Sequence, residues 1–320
     1  MKKLISMITA LVLCLSLAGC SGDSGTTKMT MGTGSPTGTY YAFGGILGQY
    51  IGNHADISVN VVSTDGSKAN IQGIAAGDYQ LGFTQSDVMS YAWDGLRTFD
   101  GAAVSSFRVV AGLYAETVQL ITTDPEIKSV ADLKGKSVSI GAPGSGVYFN
   151  AVDVLAAAGL TEDDINAQHQ DFAGSADSLK DGKIDAAFIV AGAPTPAVVE
   201  LFTGNKDARL VPIDGDVADS LMKDCPFYSK LTIPAGTYKG QSADIDTVTV
   251  KATLIVSEAA SEEDVYNLTK AIFDNVDAIA KENAKGAELS LQNATEGITL
   301  PFHAGAAKYF AENNITVASK

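Results

Sequence analysis

Two short segments of this chain carry residue types that could hold an anion. Gly32-Thr-Gly-Ser-Pro-Thr-Gly-Thr-Tyr-Tyr41 and Gly141-Ala-Pro-Gly-Ser-Gly-Val-Tyr-Phe149 are rich in glycine and hydroxyls, and each runs into an apolar stretch of helical spacing. A loop that opens a helix exposes backbone N–H groups at the positive end of the helix dipole, a ready site for a carboxylate. The residues placed to do this are Ser35, Thr37, Gly38 and Thr39 in the first segment, and Ser145, Gly146 and Val147 in the second. Either loop alone reads as well as a tight strand-to-helix turn; two at equivalent places argue for a ligand role. The chain has three arginines, Arg97, Arg108 and Arg209, all outside these loops. A bidentate guanidinium clamp is therefore not expected, and amides and hydroxyls are expected to hold the ligand. Lys68 is either a cation for the site or a solvated lysine on a helix. Gln85 and Ser86 end a strand, where an amide can donate and accept or a hydroxyl can cap. Tyr40 and Tyr114 could cover an aliphatic ligand chain or pack in the core. Gly192 and Pro194 would shape a facing wall. Tyr41, Phe149 and Trp93 are read as packing residues, and His303 as a structural histidine.

These residues must be positioned by alternating strand-like and helical segments, which indicates the α/β class. The pattern is also written twice. Each copy has a short strand, a Gly/Ser/Pro loop and a helix opening on an aromatic pair (Tyr40-Tyr41, Tyr148-Phe149). A second strand follows (Ile57–Val62; about 168–172), then a Gly-Ser pair opening a helix (Gly66-Ser67; Gly174-Ser175). That helix closes on Gly77 or Gly182 before a buried strand, Leu81-Gly-Phe83 or Ala186-Ala-Phe188. Two βαβαβ units predict two lobes with a cleft at the carboxyl ends of their strands. Loops 33–40, 63–68, 84–87, 143–149, 173–177 and 191–195 are expected to line it. The apolar runs Val109–Thr122 and Val248–Ser257 are read as the two crossings between lobes. Lobe one is expected to comprise 28–118 and 250–320, and lobe two 119–249. Ser261 and Asp264 form a capping box ahead of a helix with Val265, Leu268, Ile272, Val276 and Ile279 at helical spacing.

The N-terminus carries an address. Lys2 and Lys3 precede an apolar stretch from Leu4 to Leu17, too short to span a bilayer, and small residues follow. Leu17-Ala-Gly-Cys20 is similar to a bacterial lipobox, which predicts a signal peptide over 1–19 and lipidation at Cys20. Residues 20–27 are then a lipidated, flexible tether. Loss of residues 1–19 removes two lysines and moves the net charge from −15 to −17. Such acidity argues against nucleic acid. Cys14 leaves with the signal and Cys20 is lipidated, so Cys225 has no disulfide partner. With so few cysteines and only three histidines, no metal site is expected.

In sequence order the chain also presents Gly77-Asp-Tyr-Gln-Leu-Gly-Phe-Thr-Gln-Ser-Asp87, Leu113-Tyr-Ala-Glu116, Asp132-Leu-Lys-Gly-Lys136, Asp181-Gly-Lys-Ile-Asp-Ala186, Ala191-Gly-Ala-Pro194, Ile233-Pro-Ala-Gly-Thr-Tyr238 and Pro301-Phe-His-Ala-Gly-Ala306. Together with the two glycine loops, this series resembles the TAXI solute-binding proteins, extracytoplasmic receptors of one branch of TRAP transporters. Ala304 and Lys68-Ala69 depart from the family pattern. The resemblance implies a two-lobed periplasmic-binding-protein-like fold of type II. It also implies a small organic acid or amino acid ligand (glutamate, glutamine or a dicarboxylate such as 2-oxoglutarate) and delivery to TRAP permease subunits in the membrane. A monomer with no cofactor and no catalytic residue is expected, and the match favours a binding role for Gln85. Two other functions compete. A ligand sensor for a membrane signalling receptor would share the fold. An exported enzyme would use Gly32-x-Gly34-x-x-x-Gly38 with Asp65 as a dinucleotide fingerprint, but that leaves the second glycine loop unexplained.

Overall fold

The computed structural model describes residues 26–319, apart from the Thr98 side chain; the signal segment and Cys20 lie outside the described residues. The chain begins with β1 (Thr27–Gly32), α1 (Thr39–His54), β2 (Ile57–Val62), α2 (Ser67–Ala76), β3 (Leu81–Gln85) and α3 (Ser86–Asp94). The long strand β4 (Phe107–Thr122) leads to the second unit: β5 (Ser137–Ser139), α4 (Gly146–Ala157), β6 (Asn166–Gln168), α5 (Phe172–Lys180), β7 (Ala186–Ala191) and α6 (Pro196–Gly204). After β8 (Arg209–Val211), α7 (Gly215–Asp224) and β9 (Ser229–Ile233), a second long strand β10 (Ile245–Ser257) returns to helices α8 (Glu262–Phe273), α9 (Val276–Glu282), α10 (Leu291–Thr295) and α11 (Ala304–Glu312).

The strands form one continuous sheet, ordered β2-β1-β3-β10-β4-β7-β5-β6, with β8 beside β4 and β9 beside β10. Within each unit the short strands are parallel: β1 with β2 and β3, and β5 with β6 and β7. Strands β3 and β7 are buried along their whole length, as expected of parallel strands covered on both faces. The long strands β4 and β10 are antiparallel to each other and thread both lobes. On β4, Tyr114 belongs to the core of lobe one and Val118 to that of lobe two; on β10, Val250 and Ala252 make the reverse passage. Alternation along the strands splits the lobe-two core. Val118, Leu120, Phe188 and Val190 pack on one face, and Ile121, Ala187 and Ile189 on the other.

Local chemistry sets the element ends. Gly77 (φ 84°) terminates α2 in the left-handed conformation and turns the chain into β3; Gly182 (φ 66°) does the same between α5 and β7. Ser261 caps α8, its hydroxyl accepting from the Asp264 N–H at 3.0 Å. His303 caps α11: its Nδ1 accepts from the Gly305 N–H at 3.2 Å while Nε2 faces the Ala260 carbonyl, and burial lowers its pKa. Trp93 packs edge-on against Phe107. Three details differ from the sequence reading. β6 ends at Gln168 instead of spanning about 168–172. α5 starts at Phe172 because the Asp171 carboxylate accepts from the Gly174 N–H at 2.8 Å, making Asp171 a stronger cap than the Gly174-Ser175 pair. Thr27, assigned to the tether, already pairs with Ile57 in β1.

Candidate ligand-binding cleft

A cavity of about 240 Å³ lies between the lobes, lined by the N-terminal ends of α1, α2, α4 and α5. The α1 loop brings Gly34, Ser35, Gly38, Thr39 and Tyr40; the α4 loop brings Ala142, Ser145, Gly146 and Val147. Helices α1 and α2 follow Gly38 and Gly66, and neither has a side chain capping its first turn. Their first-turn N–H groups are thus left for another acceptor. On α4 the Ser145 hydroxyl accepts from the Tyr148 N–H at 3.4 Å and donates to the Ala142 carbonyl at 2.6 Å. Several helix N-termini converging on one cavity make an anion-favouring end without a cationic side chain. No lysine or arginine is among the described lining residues.

The opposite chemistry also faces the cavity. Glu116 of β4 lines it with an exposure of only 2%. Its Oε1, the Gln85 Oε1, the Gln170 Oε1 and the Tyr40 hydroxyl are buried and have no hydrogen-bond partner in the protein. Burial pushes the Glu116 carboxyl up to about 8, against the pull of the Lys285 ammonium. Burial and the nearby Glu116 also hold the Tyr40 hydroxyl well above its ordinary value, so it stays protonated. Orphaned buried polar atoms are rare because each forfeits its hydration. A group of them around one cavity marks where a ligand's polar groups would go.

The lobes touch around this cavity. The Ala69 N–H donates to the Gly144 carbonyl at 3.1 Å, the Thr39 hydroxyl to the Gly192 carbonyl at 3.0 Å, and the Ala197 N–H to the Thr37 carbonyl at 3.2 Å. Deeper in the interface, the Asn150 amide donates to Asp87 Oδ2 at 3.0 Å and to the Tyr228 hydroxyl at 2.7 Å. Tyr228 in turn donates to Asp153 at 3.2 Å, and Asp153 pairs with Arg97 at 2.6 Å.

Of the residues singled out from sequence, Ser35, Gly38, Thr39, Tyr40, Gln85, Ser145, Gly146 and Val147 line the cavity. Five do not. Thr37 points toward α5 and α6, where it borders a separate hollow. The Ser86 hydroxyl accepts from the Lys251 N–H at 3.2 Å. Tyr114 is wholly buried in the lobe-one core, edge-on to Phe43. The Gly192 carbonyl accepts from Thr39 and Thr195, and Pro194 follows a cis peptide beside it. Lys68 lies with its Nζ 5.8 Å from the centre of the Phe99 ring. Sequence reasoning missed Glu116, Gln170, Asp171 and Phe172. A lone acid inside an apolar strand was the available signal for Glu116; the late start assigned to α5 hid the other three.

The architecture, two α/β lobes joined by two long strands with a cavity at the carboxyl ends of the parallel strands, is that of type II periplasmic binding proteins. Within that class the chain belongs to the NMT1-like family, which it matches over residues 31–313. Two solved structures share its fold. One is a protein from Bordetella bronchiseptica RB50 (18% identity, 89% of each chain covered, TM-score 0.56). The other is the alkanesulfonate-binding protein SsuA from Xanthomonas axonopodis pv. citri bound to MOPS (15% identity, 90% of this chain and 91% of that one, TM-score 0.50). No helix of the described residues is long and apolar enough to cross a membrane.

Proposed function

We propose that the chain is an extracytoplasmic solute-binding lipoprotein, anchored through Cys20, that captures a small carboxylate by closure of its two lobes and hands it to a TRAP-type permease of the TAXI branch. The observation that carries the reading is the cavity between the lobes, where the N-termini of α1, α2 and α4 meet without a cationic side chain. About 240 Å³ suits a ligand the size of glutamate, glutamine or a dicarboxylate. The series of short motifs from Gly32 to Ala306 supports the TAXI branch, and Leu17-Ala-Gly-Cys20 supports the anchor. Binding that is confined to the closed state stabilises the fold by mass action. Purified mature protein screened by thermal shift against amino acids and dicarboxylates should respond to at least one of them, with the complex visible by native mass spectrometry. A transition moved by NAD and by no acid would sink the reading. In the same preparation, Cys20→Ala should move the protein from the detergent phase to the aqueous phase.

A further inference from the structure

We infer that Glu116 sets the specificity of the cleft, its carboxyl accepting a hydrogen bond from a protonated nitrogen of the ligand while the helix N-termini take the carboxylate. The inference rests on the ligand-binding reading above and adds to it the second polar group that the ligand must carry. Three observations carry it. Glu116 Oε1 is buried, lines the cavity and has no partner in the protein. The neighbouring cation cannot serve it fully: Lys285 Nζ is bonded to Glu288 Oε1 at 2.7 Å and lies 5.9 Å from the Tyr114 ring centre. The remaining acids on the wall, Asp65 and Asp171, add to the acceptor character of the site. With Glu116 ionised, a nitrogen-free dianion would meet these oxygens with nothing to donate, and sites built around a buried polar group reject ligands that leave it unpaired.

The groups facing Glu116 fix the sign of the pH dependence. Tyr114 adjoins it on β4, Tyr40 approaches from α1 and Asp87 from α3, and Lys285 and Glu288 approach from the C-terminal segment. Burial outweighs Lys285, so the carboxyl titrates near 8 and is mostly protonated in the empty cleft at neutral pH. Taking up an ammonium group then expels the Glu116 proton to solvent. Affinity for such a ligand should rise with pH, by at most about tenfold per unit, and level off above 8.

The test is calorimetric titration of the mature chain with L-glutamate, L-glutamine, 2-oxoglutarate and glutarate between pH 6 and 9, in two buffers of different ionisation enthalpy. The expected result is at least tenfold tighter binding of the ammonium-bearing ligands, with a proton released below pH 8. In Glu116→Gln the preference should shrink about tenfold and the proton release vanish. Equal affinity for 2-oxoglutarate or glutarate overturns the assignment while leaving the binding function intact. So does proton uptake on binding, because Glu116 would then be donating to a carboxylate. Silence from all four ligands overturns both. The wild-type selectivity and proton count decide the matter even where the variant folds poorly.

Discussion

Gly146, in lobe two, faces Gln85 and Ser67 of lobe one at close range. A Cβ there would lie 1.8 Å from Gln85 Oε1 and 2.8 Å from Ser67 Oγ. The residue is the first of α4, a position that accepts alanine without backbone strain. Gly146→Ala should therefore leave the melting temperature unchanged or slightly raised, yet weaken ligand binding at least tenfold by holding the lobes apart. Calorimetry on the folded variant checks this, and undiminished affinity would show that closure does not need the contact. Gly146 is legible in the sequence because glycine and serine ahead of an apolar helix have a known use. Glu116 is not, because its meaning comes from burial, and burial of one acid in a strand is decided by residues far away in sequence. Tyr114 shows the converse: its chemistry suits a ligand, but packing claims it.

At the scale of elements, Asn70 ties three strand ends together from the first turn of α2. Its amide donates to the Thr33 carbonyl at 2.7 Å and the Phe83 carbonyl at 2.8 Å, and its Oδ1 accepts from the Thr64 hydroxyl at 2.7 Å. The glycines at 32 and 82 make room for it; a Cβ on Gly32 would sit 2.5 Å from Asn70 Oδ1. Thus a glycine that could pass for part of a nucleotide fingerprint serves packing. Asn70→Ala removes these bonds and strands buried partners, at a cost of about 3 kcal/mol. Urea unfolding should show that loss, and a change below about 1 kcal/mol would contradict the account. Strand and helix identities were readable from periodicity and from Gly77 and Gly182. The keystone role of Asn70 was not, since no periodic pattern marks a side chain that bonds two backbone carbonyls and a hydroxyl from three separate strand ends.

For the molecule as a whole, the lobe interface stores buried acid. Burial pushes the Asp87 carboxyl up to about 7, with the Asp153 carboxylate adding to the shift, and Asp153 itself is raised mainly by burial. A carboxyl whose folded-state pKa is raised binds its proton more tightly in the native state, so stability falls as pH climbs toward that value. His303, lowered by burial, works in the opposite sense below about 6.5. Asp124, Asp132 and Asp164 are shifted down and act only at more acidic pH. Glu116, raised by burial to about 8, titrates in the same range, so between pH 6.5 and 8 the unliganded protein should lose about 2 kcal/mol of stability, most of it through Glu116. Denaturant melts at several pH values check the slope; Asp87→Asn should remove the smaller share of it and Glu116→Gln the larger. A stability that climbs across this window would refute the assignment. The duplicated pattern made two lobes legible, whereas this interface was not, because its partners lie in separate copies and meet only after both have folded.

The placement of β10 has a consequence for how the chain is made. In the finished sheet β10 lies between β3 and β4, pairing with both, while β3 and β4 do not pair with each other. On the ribosome, therefore, the first hundred or so residues emerge without the strand that joins their halves. Lobe two, continuous between the two long strands, is synthesised entire while its neighbour waits. The amino-terminal part of the sheet is therefore completed only after translation has passed Ser257, a delay that would suit the export proposed above, in which a chain is threaded before it folds.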